Sequence, residues 1–116
     1  MKESVLKEKA FDFSVRIVRF SGYLQKDKAE GILSKQVLRS GTSIGANVWE
    51  ATFAQSNADF ISKLSIALKE ANETNYWILL LHKSEIIESK IADSLTDDLG
   101  EIIAMLIASI KTAKKK

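Results

Sequence analysis

The sequence predicts an all-α protein: a left-handed, antiparallel, up-down-up-down four-helix bundle filling residues 1–116 as a single domain. Three observations lead there. The chain contains no proline, so the strongest helix breaker is missing throughout. Apolar residues recur at steps of three and four in four successive segments, the spacing that lines one face of a helix. Short polar stretches separate the segments, which makes sequential helices antiparallel neighbours.

The first helix is expected over about residues 4–25, with Ala10, Phe13, Ile17, Phe20 and Leu24 on its inner face. Phe11, Val15 and Val18 form a second apolar strip beside the first. Two strips give a face wide enough for two neighbours, or for another subunit. Gly22 marks the expected onset of fraying, and the polar run Gln25 to Gly31 is the first connection.

The second helix is expected over residues 30–55. Leu33, Val37, Ile44, Val48 and Ala51 face inward, and Gly41 completes the row. A glycine inside a helix costs about 1 kcal/mol relative to alanine, and Gly41 and Gly45 lie one turn apart. The compensation must be close backbone approach, by a second helix or by a bulky ring. Trp49, Tyr76 and Trp77 are the candidate rings. Ser56 or Asn57 is expected to cap the third helix, residues 58–86, with Asp59 in its first turn. Phe60, Leu64, Ala67, Ala71, Thr74, Ile78 and Leu81 form its heptad seam. The fourth helix, residues 92–112, is expected to be capped by Ser94 or Asp93. Its stripe is Leu95, Leu99, Ile102, Leu106 and Ile110, with Ile103 and Ile107 alongside.

Function is bounded mainly by exclusion. The chain has no cysteine, so thiolate ligands, disulfides and a cysteine nucleophile are ruled out. The single histidine, His82, has Leu79 three residues before it, whereas a di-iron bundle needs a Glu-x-x-His motif on each of two helices. His82 is read as a half-buried helix-end residue. No phosphate loop, nucleophile elbow or zinc-protease motif is present. GTSIG, Gly41 to Gly45, lacks the following lysine and the preceding strand of a phosphate loop. No catalytic residue, metal ligand or cofactor is therefore expected, and the protein is read as not an enzyme. The N-terminal ten residues are charged, and the apolar runs fall far short of the roughly 20 residues of a membrane span, so the expected compartment is the cytoplasm.

Folding the second and third helices back on each other about residue 57 brings Glu50 near Lys63 or Leu64, Arg39 near Glu73 to Tyr76, and Asn47 near Ala67 and Glu70. Polar ties Glu50–Lys63 and Arg39–Glu73 (or Glu70) are expected to fix helix register rather than to catalyse.

The net charge of +2 is unevenly laid out. Residues 1–39 carry nine Lys/Arg against five Asp/Glu, and residues 40–110 carry four against ten. The last six residues, KTAKKK, add four lysines. A basic first helix and a basic tail at 111–116 thus flank an acidic middle, the layout of a chain with an anionic partner or with complementary subunit faces. Arg16, Arg19, Lys111, Lys114, Lys115 and Lys116 are the candidate nucleic-acid contacts. The pattern places no aromatic side chain obviously on the surface for base stacking.

The stretches QVLRSGTSIGANVWEA, Gln36 to Ala51, and DFISKLSIALKEANETNYWILLL, Asp59 to Leu81, resemble the bacterial intervening-sequence, or ribosomal-protein-like, four-helix-bundle family. Some of its members are encoded in intervening sequences inside large-subunit ribosomal RNA genes. Arg39, Ser40, Gly41, Ser43, Ala46, Asn47, Glu50, Phe60, Lys63, Glu70, Glu73, Tyr76 and Trp77 fall at the family's positions, and Gly45 is read as a packing glycine beside them. The resemblance covers essentially the whole chain. It implies a small helical bundle similar to ring-forming homopentamers, and to accessory proteins of diversity-generating retroelements that bind nucleic acid and a reverse transcriptase. Two functions are expected from this. One is a non-enzymatic homo-oligomer associated with RNA or DNA through basic surfaces. The alternative is a protein-interaction or assembly module that touches no nucleic acid.

Overall fold

The computed structural model describes residues 2–116, with side chains from Ser4 onward. Four helices follow one another: α1 (Lys2–Asp27), α2 (Ile32–Ala51), α3 (Asn57–Lys83) and α4 (Ser89–Lys114). No strand occurs among the described residues. Each helix packs on the next in sequence and α4 closes against α1, while the Cα atoms of diagonal helices stay more than 8 Å apart. Cross-helix bonds fix the directions. At one end His82 Nε2 and Ser89 Oγ are 2.9 Å apart, and at the other Asn57 Nδ2 donates to the Ala113 carbonyl at 2.8 Å. Those two bonds set α4 antiparallel to α3; Gly41 at Ile17 with Gly45 at Ala10 does the same for α1 and α2, and Arg39–Glu70 with Glu50–Lys63 for α2 and α3, so the chain reverses at every connection and forms a rod of 47 × 20 × 19 Å.

The expected faces are the buried ones. Ala10, Phe13, Ile17, Phe20 and Leu24 of α1 are buried, as are Leu95, Leu99, Ile102, Leu106 and Ile110 of α4. The α3 seam is buried from Leu64 to Leu81, with Phe60 half-buried at its start. In the second strip of α1, Phe11 touches Trp49 of α2 yet stays largely exposed, and Val15 and Val18 are exposed as well.

Helix α2 is continuous through both glycines. What the glycines admit is α1, not an aromatic ring. A Cβ on Gly41 would lie 2.8 Å from Ile17 Cγ2, and one on Gly45 would lie 2.5 Å from Ser14 Oγ and 3.1 Å from the Ala10 carbonyl oxygen. Of the two expected occupants, a second helix or a ring, the helix is the one found, and Trp49, Tyr76 and Trp77 are not what these glycines meet. Periodicity places the glycines on a face but cannot say which neighbour arrives there.

Helix ends depart from expectation for local reasons. α1 does not fray at Gly22 but continues to Asp27, and a bond reaching back six residues closes it: Glu30 N–H donates to the Leu24 carbonyl at 2.9 Å. The left-handed residue of that cap is Ala29 (φ 52°), although Gly31 stands two positions on. α2 begins at Ile32, where the Glu30 carboxylate accepts from the N–H groups of Ile32 and Leu33, each at 2.7 Å. α2 stops at Ala51 rather than residue 55, because Thr52, Phe53 and Ala54 bond back three residues instead of four and wind the chain into a turn. Ser56 caps α3 as expected, accepting from Asp59 N–H at 3.0 Å. α4 starts at Ser89, so Ser94 and Asp93 lie inside it; its N-cap position is Glu88, which forms no side-chain cap bond.

Candidate functional site

Three clusters stand out among the described residues. The first ties α2 to α3. Arg39 spans two carboxylates, reaching Glu70 at 3.3 Å and also pairing with Glu73. The Trp77 indole N–H donates to Glu73 Oε2 at 3.1 Å, and Lys63 meets Glu50 at 3.5 Å. The Trp77 bond, and then the Arg39 bond, hold the Glu73 carboxyl below the usual carboxylate range, against the opposing effect of burial. The same pairing raises Arg39 further. Both expected ties, Glu50–Lys63 and Arg39 with Glu73 and Glu70, are therefore formed. Beneath them lies a pair that periodicity does not announce: the fully buried hydroxyls of Ser40 and Thr74, bonded at 2.9 Å. Thr74 also sits 2.8 Å from the Glu70 carbonyl, so its proton makes one bond and Ser40 supplies the other. Ser43 and Asn47 bond back within α2, to the carbonyls of Arg39 and Ser43. Tyr76 is exposed, edge-on to Trp77. Every charge in this cluster has a partner within it.

The second cluster is a groove between α1 and α4, lined by Lys9, Asp12, Phe13, Arg16, Asp98 and Glu101. Lys9 pairs with Glu101 at 2.8 Å. Arg16 is held by Asp98 Oδ2 (2.7 Å), Ser94 Oγ (2.7 Å) and the Ser94 carbonyl (3.1 Å). The Arg16 guanidinium is therefore engaged within its own chain. Arg19 is exposed one turn further along. Both arginines lie about 20–25 Å along the helix from its first residue, at 1.5 Å rise per residue. The structure does not gather them into one patch with the tail lysines.

The third cluster is the rod end where α1 begins, α2 ends, α3 begins and α4 ends. Lys111, Lys114, Lys115 and Lys116 are exposed there and pair with no carboxylate among the described residues. Lys7, Lys9 and Lys63 join them, against Glu8, Asp12, Glu50, Asp59 and Glu101, the last of which pairs with Lys9. The opposite end is balanced, with Lys26, Lys28, Lys35, Lys83 and Lys90 facing Asp27, Glu30, Glu85, Glu88 and Asp93. The uncompensated positive charge of the molecule is thus at the tail end. Aromatics are there too, contrary to expectation: Phe11, Trp49 and Phe53 are 56%, 47% and 71% exposed. Lys7 Nζ sits 4.1 Å from the Trp49 ring centroid and 5.8 Å from that of Phe53. Antiparallel pairing of α1 with α2 across Gly31 puts Phe11 beside Trp49, a signal the sequence contained. Among the described residues no three His, Asp or Glu side chains converge as metal ligands.

The family model described as 23S rRNA-intervening sequence protein matches residues 2–108. The chain belongs to that family. A crystal structure of a protein of unknown function from the S23 ribosomal protein family of Bacteroides thetaiotaomicron superposes with a TM-score of 0.94 at 53% sequence identity, covering 96% of this chain and 99% of that one. No curated protein matches. Membership of the 23S rRNA-intervening sequence family thus supplies the fold and a lineage. No helix among the described residues is long and apolar enough to cross a membrane.

Proposed function

We propose that this member of the intervening-sequence family is a non-enzymatic module that self-associates and holds RNA or DNA by its phosphate backbone through the lysine-bearing end. The observation that carries this reading is the placement of Lys111, Lys114, Lys115 and Lys116, exposed and without carboxylate partners among the described residues, at one end of a 47 Å rod whose other end is charge-balanced. Assembly would repeat that end around an axis, a ring of five being the arrangement the family resemblance favours. A charge of +2 per chain would then become a concentrated positive surface. The test is a titration of RNA and of DNA at two salt concentrations, with the four lysines intact and then changed to Ser. Binding at low salt that the changes abolish is the expected result. No binding at low salt ends the proposal.

A second reading rests on a different observation. Val15 and Val18 extend the exposed apolar strip of α1 away from the lysines, along a face no helix of this chain covers. That strip suits an assembly module with no nucleic acid. Val18→Glu is expected to lower the molar mass measured by light scattering; an unchanged mass removes the strip from the interface.

A further inference from the structure

The aromatic group at the lysine-bearing end has no role in backbone binding, since phosphates need cations and not rings. Nor is it part of the core. Phe53 is 71% exposed, in the turn after α2, and Trp49 is 47% exposed on the α2 face that looks toward α1. Phe11 leans on Trp49 with ring centroids 6.3 Å apart and planes at 43°, which keeps the indole from swinging freely. The Lys7 ammonium stands within reach of both Trp49 and Phe53.

Two kinds of partner present flat apolar surface to such rings: another protein, or unpaired bases. The lysine decides between them. The centres of protein interfaces are depleted in lysine, because a strongly hydrated ammonium must lose its water there. A second copy would moreover bring its own uncompensated lysines to the same end. A single strand presents what this arrangement lacks, a base face for each ring and a phosphate for the cation beside them. A duplex hides its base faces and offers only phosphates.

We propose that Trp49 and Phe53, with Lys7 beside them, form a stacking platform for single-stranded nucleic acid, the bases lying on the rings and the backbone running over Lys7 toward the tail lysines. This rests on the backbone-binding reading above and narrows it to unpaired strands. Lys7 leaves the indole face when a phosphate takes its charge, and the incoming base replaces it there.

The test uses the full chain and two probes, oligo(U) and an RNA duplex of equal phosphate count. Phe53→Ala and Trp49→Ala are each expected to weaken oligo(U) binding roughly tenfold and to leave duplex binding unchanged. Trp49→Phe keeps a ring, so it should retain most oligo(U) affinity while abolishing the quenching of tryptophan emission that oligo(U) causes in the unchanged chain. Equal losses for both probes, or no loss for either, overturn the platform. A fall in molar mass on Phe53→Ala also overturns it, assigning the rings to a subunit contact. If the tail Lys→Ser changes abolish binding of both probes while the ring changes alter neither, the platform fails and the backbone reading stands. If the unchanged chain binds neither probe, both fail.

Discussion

Gly41 and Gly45 show how much a single residue decides in this bundle. A methyl group on Gly41 would enter the space of the Ile17 branch point, within 2.9 Å of both its γ carbons, and β-branched side chains have little rotamer freedom to give way. Gly41→Ala is therefore expected to destabilise by about 1–3 kcal/mol, the usual cost of overpacking. Gly100, inside α4, is the control: an added Cβ there meets nothing within 4 Å. Gly100→Ala is expected to stabilise by about 0.5–1 kcal/mol through helix propensity and reduced freedom of the unfolded chain. Denaturant unfolding of the two variants checks both signs. That Gly41 and Gly45 mark a close approach was legible from their spacing. That the approaching element is α1 was not, because a small-residue face accepts any neighbour the connections deliver.

Among the elements, the α2–α3 pair carries the most specific chemistry. Its charged ties surround the buried Ser40–Thr74 hydroxyl pair, and no buried side-chain polar atom among the described residues lacks a partner. Thr74→Val keeps the shape but leaves the Ser40 hydroxyl without its cross-helix bond, at an expected cost of about 1–3 kcal/mol. Adding Ser40→Ala should then cost less than its own single effect, and a double-mutant cycle reads the difference. Additive losses would mean that the two hydroxyls are not coupled. Glu73 gives the pair a pH response. Its carboxyl is depressed in the folded chain by the Trp77 and Arg39 bonds, below the ordinary value of 4.5. The folded state therefore binds the proton less readily than the unfolded one. The stabilisation is complete above pH 4.5 and is lost as pH falls from there through the depressed value. Thermal unfolding between pH 6 and pH 3, a range of about that span, should show a shallower acid loss for Glu73→Gln than for the unchanged chain. Parallel curves would contradict the assignment. The charged ties could be read by folding a hairpin on paper, since long opposite charges tolerate an error of one turn. The hydroxyl pair could not, because a bond of 2.9 Å needs the actual helix separation.

At the scale of the whole molecule, the property that matters is the unequal charge of the two rod ends. If the four tail lysines each neutralise a phosphate, changing them to Ser should reduce the slope of log K against log salt by about 3 to 4, taking 0.7–0.9 per phosphate contact. Titrations at several salt concentrations measure this, and an unchanged slope would move the contact away from the tail. Arg16 illustrates what a linear charge count misses. It stands in the basic first segment but spends its guanidinium on Asp98 and Ser94, residues far along the chain. A charge is available to a partner only if no nearer carboxylate holds it, and proximity across helices is a tertiary property.

The sequence by itself determined the number of helices, their inner faces, their antiparallel order and the family, because period, breaker content and short connections act locally along the chain. It also determined that cysteine chemistry and a two-histidine metal centre are out of reach. Only the tertiary structure decided that α1 fills the glycine face, that α2 stops at Ala51, and that Lys7, Trp49 and Phe53 meet beside the tail. Each of these depends on which surfaces come within a few ångströms once four helices share one core. That is set by the fit of side chains across the bundle and not by any pattern within one helix.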